Sequence, residues 1–447
     1  MSNPDRLACY CIAVSVRQES WNNTENQRLT FMHSRLFDNT GFLLAWLAAI
    51  TAALTTTVLL WLSRYQPIEM DLAMMHYTAF LINEKNLLLY RDIFENNLPG
   101  PFLFHSLIGN FFGYSATPVR FLDASILFFI FFLSWKIISP ISKTSAILAP
   151  SLFAAVYFLG GTIAAFQRDY IAIVPIASAL ALVSGRQIHP TRDALLIGAL
   201  SGLACGFKPN FIVVLPALYW LLLLKTPGNF SEKIKKTILP AGMAFTVLFL
   251  IPFAWAVNHA DLHELLEIYK TYTPVYVSSR TDLYQYANRQ EQLLDLFRMQ
   301  ASHLIKLALI SVPGILWAWR QQRQNPQSLK ILGALSLITF AIAWHEVIAG
   351  KFWFAHLLPP YYFGILCFSL LLTPVRSDAA IIEKCLYICL VIAVCSISTT
   401  AGFYSTQKLH DARYTADNHN IRSKKIARFL EKNLQPDDKV QSLDGSG

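Results

Sequence analysis

The chain has 447 residues, of which 54% are hydrophobic and only 15% are charged, and its mean hydropathy is +0.40. This composition excludes a soluble globular protein of this length and indicates a polytopic membrane protein. The formal net charge is +9, but Lys and Arg lie mainly in short loops between apolar segments. That distribution indicates membrane topology rather than nucleic-acid binding.

Residues 1–40 are polar and mixed in charge, and we predict a cytoplasmic tail without a cleavable signal peptide. Met1 and Met32 are both candidate starts. The seven Cys show no metal-ligand spacing and no disulfide framework, so we expect them to pack as small apolar side chains.

A spanning helix needs roughly 20 mostly apolar residues, and we predict an all-α protein with about eleven such helices. The predicted spans are 41–62, 119–138, 145–163, 170–185, 193–207, 210–224, 236–257, 303–319, 329–349, 353–373 and 380–402. We expect residues 41–402 to form one transmembrane domain. Residues 403–447 would form a short external tail that is disordered where it reads QPDDKVQSLDGSG.

Loop charges fix the predicted orientation. With the N-terminus in the cytoplasm, every cytoplasmic loop is basic, as the positive-inside rule requires. The residues concerned are Lys136, Lys143, Arg186, Arg192, Lys225, Lys233, Lys235, Lys236, Arg320, Arg323, Arg376 and Lys384. The opposite orientation would place the basic loop KTPGNFSEKIKK outside.

This orientation requires that the apolar segment 98–113 does not cross the membrane, because one more crossing would reverse the side of every later loop. Its apolar residues Phe104, Leu107, Ile108 and Phe111 fall on one helical face, which is typical of a helix lying in the interface. Residues 71–82 have a similar pattern. We therefore predict two interfacial helices in the first external loop.

Ionisable residues collect on the predicted external side, where such groups near the membrane are costly and usually functional. Carboxylates there suit base or metal chemistry, and cations suit phosphate binding. The residues are Asp71, Asp92, Glu95, Arg168, Asp169, Lys208, His345, Glu346, Lys351 and His356, with Tyr361 beside them.

Structural interpretations stand beside these functional ones. Arg168 and Asp169 are compatible with an ordinary interfacial pair, Lys208 with a side chain that snorkels to the headgroups, and Tyr361 with an aromatic belt. The pair His345–Glu346 begins like the zinc-protease pattern H-E-x-x-H, but the fifth position is Ala349, so that pattern fails.

The order of motifs resembles the GT-C membrane glycosyltransferases, in the bacterial branch of protein O-mannosyltransferase and aminoarabinose-transferase type proteins. The motifs are Asp71 after the first span, LYRDIFENNLPGPF, FFG, VRFLDAS, QRD, GLACGFKP and KFWFAHLLPPYY. They occur in this order from Asp71 to the PPYY stretch that begins at Pro359.

The resemblance implies a bacterial inner-membrane enzyme that moves a sugar from a polyprenyl-phosphate carrier, typically with inversion, to a hydroxyl or phosphate of an acceptor. The acceptor would be lipid A or lipopolysaccharide, another glycan or a protein, on the periplasmic side. The resemblance makes Asp71 the general base or a metal-linked carboxylate and Asp169 the second acidic residue. Glu95 and Lys208 match further family positions.

The chain departs from the family pattern at two places. Leu72 follows Asp71 where many members have Glu, and Asn96 follows Glu95 where many have Lys. The carrier phosphate then needs another cation, and the candidates are Arg168, Lys208 and Lys351, with His356 and Tyr361 completing the predicted binding set. Two carboxylates, Asp71 and Asp169, are compatible with a divalent cation (Mg, Mn or Zn) but do not require one.

Two other functions are compatible with external charges in a membrane protein. One is an O-antigen polymerase or ligase, and the other is a transporter of lipid-linked sugars, which would be expected to carry mid-membrane charges and internal repeats. The sequence does not identify the sugar, the acceptor or the oligomeric state.

Overall fold

The computed structural model describes residues 41–64, 66, 68–185, 189–281, 284–285, 287–350, 352–376 and 379–433. The predicted N-terminal tail, residues 1–40, and the predicted disorder at the C-terminal end, residues 435–447, lie outside this part of the chain.

Helices account for nearly all of the described chain. They are α1 (Gly41–Ser63), α2 (Met70–Lys85), α3 (Gly100–Phe112), α4 (Ala116–Ile138), α5 (Lys143–Leu159), α6 (Arg168–Ser184), α7 (Pro190–Phe207), α8 (Leu215–Lys225), α9 (Phe230–Lys236), α10 (Ile238–His259), α11 (Leu262–Ser278), α12 (Arg289–Gln322), α13 (Pro326–Ile342), α14 (His345–Ala349), α15 (Phe354–Ser369) and α16 (Ile381–Asn433). Three 3₁₀ turns, Gly161–Ile163, Pro209–Val214 and Leu370–Leu372, connect or extend them. Two short antiparallel strands, β1 (Ser279–Thr281) and β2 (Tyr284–Gln285), form a hairpin between α11 and α12.

Seven helices of the described residues are long and apolar enough to cross a membrane, which confirms an all-helical, multi-pass protein. They are Gly41–Ser63, Ala116–Ile138, Phe230–His259, Arg289–Gln322, Pro326–Ile348, Phe354–Leu372 and Ile381–Asp411. Helices also occupy the other four predicted positions, as α5, α6, α7 and the segment Pro209–Lys225, but these are shorter. The count of eleven spans therefore stays a prediction.

The centre of the bundle is formed by α5, α6 and α15, whose side chains are buried almost all round. Each of these helices contains proline: Pro150, Pro175, Pro359 and Pro360. Proline is tolerated inside such helices because neighbouring helices and local turns satisfy the freed carbonyl groups.

Both predicted helices of the first loop are present, as α2 and α3, and they pack against each other. The polar face of α3 is turned toward α2, where Asn83 donates to the Ser106 carbonyl oxygen (3.1 Å) and to Asn110 (2.8 Å). Leu107 and Phe111 stay exposed on the other side, as expected of a helix that contacts lipid.

The first loop is also joined to the loop that follows α10. Leu89 donates its backbone N–H to the His259 carbonyl oxygen (3.0 Å) and accepts from the Asp261 N–H (2.9 Å). These main-chain bonds fasten the segment between α2 and α3 to the start of α11.

Glycines bring α7 and α10 into close contact. Gly198 and Gly202 lie one turn apart on α7, and a Cβ on either would overlap the carbonyl oxygen of Ala241 or Phe245 on α10. Gly206, one further turn along, lies against Gly100 at the start of α3. Small residues at this spacing let helix backbones approach closely in a membrane.

We expect Gly198→Ala to lower the thermal stability of the purified protein, because the added methyl group meets backbone that a side chain cannot relieve. The loss should be about 1–3 kcal/mol. Gly242→Ala, on α10 with open space around its Cβ, is the matched control and should leave the melting temperature unchanged. Equal melting temperatures for the two variants would contradict the close contact.

Candidate active site

Asp169 lies in the first turn of α6 and its side chain is only 1% exposed. The turn that leads to it, after Gly161–Ile163, passes through Phe166 in the left-handed region (φ 55°). A non-glycine residue adopts this conformation only when surrounding contacts hold it. The turn therefore presents Asp169 in one fixed direction, toward the interior of the bundle.

Asp169 is neutralised by partners from two distant segments. Lys208 Nζ donates to both carboxylate oxygens, at 2.9 and 3.0 Å, and His345 Nε2 lies 3.0 Å from Oδ1. Lys208 is 7% exposed and stands between α7 and the turn Pro209–Val214. A buried carboxylate persists only with such partners, so this cluster joins α6, α7 and α14.

His345 extends the cluster to a second carboxylate. Its Nδ1 lies 3.3 Å from Glu346 Oε2, both residues are buried, and Phe211 stacks on the imidazole ring at 5.0 Å. Ion pairing to Asp169, rather than metal ligation in an H-E-x-x-H pattern, is what the structure provides for this histidine. The sequence placed His345 among the external ionisable residues but gave it no role in catalysis or binding, and its contact with Asp169 was not predicted.

His356 and Tyr361 lie on α15, near the same cluster. His356 is buried, stacks on Trp353 with ring centres 5.7 Å apart, and interacts electrostatically with Asp169. Tyr361 is half-buried against Phe354 and interacts electrostatically with Glu346. Both therefore lie close to the buried charges, while Lys351 lies outside the described residues.

A second polar cluster forms around Glu95 in the first loop. Glu95 Oε1 accepts from the backbone N–H groups of Asn96 (2.8 Å) and Asn97 (3.1 Å) and from the Asn97 side chain (2.6 Å). Arg168 donates to the side-chain oxygen of Asn97. Burial raises the pKa of Glu95, and the Arg168 guanidinium and these hydrogen bonds oppose that rise. Glu95 thus shapes the loop that contacts Arg168.

Two buried histidines of the first loop, His76 on α2 and His105 on α3, lie behind Phe166. Their Nδ1 atoms lie 3.4 Å apart. Burial and the neighbouring His76 lower the pKa of His105 to about 3, and burial also lowers the pKa of His76. Both rings are therefore neutral at physiological pH and add no positive charge to the site.

Asp71 has a different environment from Asp169. It lies in the first turn of α2, is half-buried, and makes no hydrogen bond or ion pair with any residue that the structure describes. Met70, directly before it, is in the left-handed region (φ 54°), as Phe166 is three residues before Asp169. Helix α2 packs against the turn Gly161–Ile163, which leads to Asp169.

Asp92 separates from the other acidic residues. It is exposed and pairs with Arg91 at 3.1 Å, and this hydrogen bond lowers its pKa. Its second role is local, because it accepts from the Leu88 N–H at 2.8 Å. Asp92 is therefore an exposed loop residue whose described partners, Arg91 and Leu88, are its neighbours in sequence.

The residues around Asp169 do not fit a divalent cation. Both of its oxygens are engaged by Lys208, and one also by His345, so a metal would have to displace a buried ammonium group. Nowhere among residues 41–433, outside the gaps given above, do three or more His, Cys, Asp or Glu side chains gather as metal ligands would. We therefore assign no metal ion to Asp169.

Residues 97–255 match the family of dolichyl-phosphate-mannose-protein mannosyltransferases. Across almost the whole chain the fold is similar to the crystal structure of ArnT from Cupriavidus metallidurans bound to undecaprenyl phosphate. The TM-score is 0.54 at 13% sequence identity, and the similarity covers 92% of this chain and 82% of that one. The matched segment and the overall fold together indicate a GT-C membrane glycosyltransferase. No curated protein matches it at a significant level.

The family match and the fold similarity carry different parts of this identification. The matched residues include Arg168, Asp169 and Lys208, whereas Asp71 and His345 lie outside them. The expectation of a GT-C enzyme is confirmed, and it favours glycosyl transfer over the polymerase and transporter alternatives.

We expect Lys208→Met to lower the stability of this glycosyltransferase by about 3–5 kcal/mol, because Asp169 then stays buried without its cation. The double variant Asp169→Asn with Lys208→Met should regain most of this loss, because no charge remains unpaired. Thermal unfolding of the purified proteins in detergent measures both.

Lys236→Met is the matched control, because Lys236 pairs with Glu232 in the exposed helix α9. It should cost less than about 1 kcal/mol. If the single and double variants at Asp169 and Lys208 unfold at the same temperature, the pair is not a buried ion pair.

Proposed function

We propose that this glycosyltransferase moves a sugar from a polyprenyl-phosphate carrier to an acceptor at the periplasmic face of the bacterial inner membrane, with Asp71 as the general base. The observation that carries the proposal is the contrast between the two acidic residues. Asp169 is buried and neutralised by a cation, whereas Asp71 is half-buried and has no described partner. A base must be reachable by the acceptor and unoccupied before it binds.

The reaction that we propose is a single displacement. Asp71 takes the proton from an acceptor hydroxyl, the hydroxyl oxygen attacks the anomeric carbon, and the bond from that carbon to the carrier phosphate oxygen breaks. Attack opposite the leaving group inverts the anomeric configuration. The transition state resembles an oxocarbenium ion, as in glycoside hydrolysis, but the nucleophile is the acceptor rather than water.

Arg168 is the cation that we propose for the leaving phosphate, because it has a donor to spare. Lys208 donates two of its three N–H groups to the carboxylate of Asp169. Arg168 uses one donor on Asn97, and its buried Nε has no described hydrogen-bond partner. A buried donor without a partner is uncommon in a folded protein and is compatible with a ligand that completes it. A cation there would stabilise the charge that develops on the carrier phosphate.

An apolar groove beside the charged cluster suits the carrier's hydrocarbon chain. It has a volume of about 700 Å³ and runs between α8 and the helices α13 and α14. Its lining includes Trp344 and Val347, which flank His345 and Glu346 in sequence, and the exposed side chains of Trp220 and Phe340. A lipid lying in it would bring its phosphate toward the buried charges.

The proposed acceptor remains a class of molecule: a periplasmic glycolipid such as lipid A, another glycan or a protein. The neighbour ArnT has undecaprenyl phosphate bound, which supports a polyprenyl phosphate as the carrier here. Cell-envelope glycans are the products that we propose to examine.

We expect Asp71→Asn to abolish transfer, with a loss of at least about 10²-fold, because the amide cannot accept the acceptor's proton. The measurement is mass spectrometry of lipid A and surface glycans in a deletion strain complemented with wild type or variant. Membrane levels of the protein should be equal in the two strains.

Asp92→Asn is the matched control, because it removes a carboxylate from the same loop at an exposed position. It should restore the glycan pattern as fully as the wild type does. Normal glycans with Asp71→Asn would refute Asp71 as the base, and absence of any difference between the deletion and wild-type strains would refute the proposed envelope substrate.

We expect Ala341→Trp to weaken binding of undecaprenyl phosphate at least about 10-fold, because the indole fills the groove and removes apolar contact area. Native mass spectrometry of the purified protein measures the bound lipid. Gly242→Trp fills a second apolar groove, of about 600 Å³ on α10, and should leave this binding unchanged. Equal binding by the two variants would place the lipid elsewhere.

A further inference from the structure

A network of buried polar contacts joins the segment before Asp71 to the segment before Asp169. It includes residues of the VRFLDAS motif on α4, which take no part in the reaction proposed above. Its members are Arg120, Asp123 and Tyr157, with the backbone of Gln66 at one end and of Phe166 at the other.

At its first end, the network contacts Gln66, between α1 and α2. Arg120 Nε donates to the Gln66 carbonyl oxygen at 3.2 Å, and Gln66 is five residues before Asp71. Arg120 and Gln66 are both buried. A charged donor to a buried backbone oxygen is among the stronger hydrogen bonds, so Arg120 holds Gln66, four residues before the start of α2.

The centre of the network is an ion pair inside the bundle. Arg120 Nη1 lies 3.5 Å from Asp123 Oδ2, and Tyr157 on α5 donates its hydroxyl to Asp123 Oδ1 at 2.6 Å. Tyr170 on α6 donates to the Asp123 carbonyl oxygen at 3.2 Å and stacks on Tyr157 with ring centres 4.3 Å apart. The carboxylate of Asp123 thereby joins α4, α5 and α6.

The second end holds the turn before α6. The Phe166 N–H donates to the Tyr157 hydroxyl oxygen at 2.9 Å, and Phe166 is the residue in the left-handed conformation three places before Asp169. The same hydroxyl group therefore donates to Asp123 and accepts from the strained turn. Such strain persists only where the surroundings fix it.

We infer that Arg120, Asp123 and Tyr157 are positioning residues that fix the Asp71 segment and the Asp169 segment relative to each other. The inference rests on the proposed function for its catalytic consequence. A base and a phosphate-binding region carried by separate helices must be held within a fraction of an ångström, because a displacement of about 1 Å costs on the order of 10²-fold in rate. The buried network of Arg120, Asp123 and Tyr157 supplies that constraint without contacting the substrate.

The test uses Tyr157→Phe, which removes one hydroxyl group and keeps the ring packed. Tyr362→Phe is the matched control: Tyr362 is also fully buried, belongs to the same aromatic group through Phe153, and donates to or accepts from Ser134 at 3.0 Å. Hydrogen–deuterium exchange of the purified full-length proteins reports on both segments, and thermal unfolding reports on overall stability.

We expect Tyr157→Phe to speed exchange at Phe166 and in the segment around Gln66 by about 5- to 10-fold, as loss of one buried hydrogen bond predicts. Tyr362→Phe should lower the melting temperature by a similar amount and leave exchange in both segments unchanged. Faster exchange at Phe166 alone, or equal exchange in the two variants, would overturn the connection.

The catalytic consequence is measured in the complemented deletion strain. Tyr157→Phe should lower the amount of glycan product at least about 10-fold at equal protein level, and Tyr362→Phe should not. Faster exchange in both segments with undiminished product would overturn the positioning role. If wild type itself gives no product, the proposed function has failed, and the exchange data alone still decide whether the two segments are joined.

Discussion

The buried pair between Asp169 and Lys208 is the interaction on which the arrangement of the helices around the site depends. Removing two charges from water is costly, and their attraction compensates only when the geometry is good and the remaining polar atoms are satisfied. Here Lys208 donates to both oxygens and His345 completes the set. Three segments far apart in sequence must therefore meet at one point, or a bare charge remains in the protein interior.

That requirement explains several otherwise separate features. Helix α7 ends at Phe207, directly before Lys208, and its glycines hold it close to α10. Phe166 adopts a strained conformation so that α6 can begin with Asp169 turned inward. Helix α14 is short and begins with His345, which Phe211 holds by stacking. Each feature places one member of the charged cluster.

Much of the fold was predictable because long apolar segments and basic loops constrain a membrane protein strongly. Helices α2 and α3 followed from parity and periodicity, and the same parity placed Arg168, Asp169 and Lys208 on one side. Helices α5 to α8 are shorter than the roughly 20 residues that a spanning helix needs, so length alone does not identify them as spans.

The site was predictable as a set of residues, but the pairing within it was not. Nothing local links His345 to Asp169, since their contact is made only when α14 folds against α6. The role of Asp123 also escaped sequence reasoning, although a carboxylate inside the apolar helix α4 was a visible signal. Asp71 is the reverse case: its place in the sequence singled it out, and in the structure it is notable for lacking the partners that Asp169 has.

The backbone bonds of Leu89 make the join between the two large loops independent of side-chain identity. They run between main-chain atoms of Leu89, His259 and Asp261, so they require no particular side chain at these three positions. The side-chain hydrogen bonds of Asp92 and Glu95, which shape the first loop itself, are a separate constraint. Loops of different sequence can therefore be held together in the same way, as long as these backbone groups stay within hydrogen-bond reach.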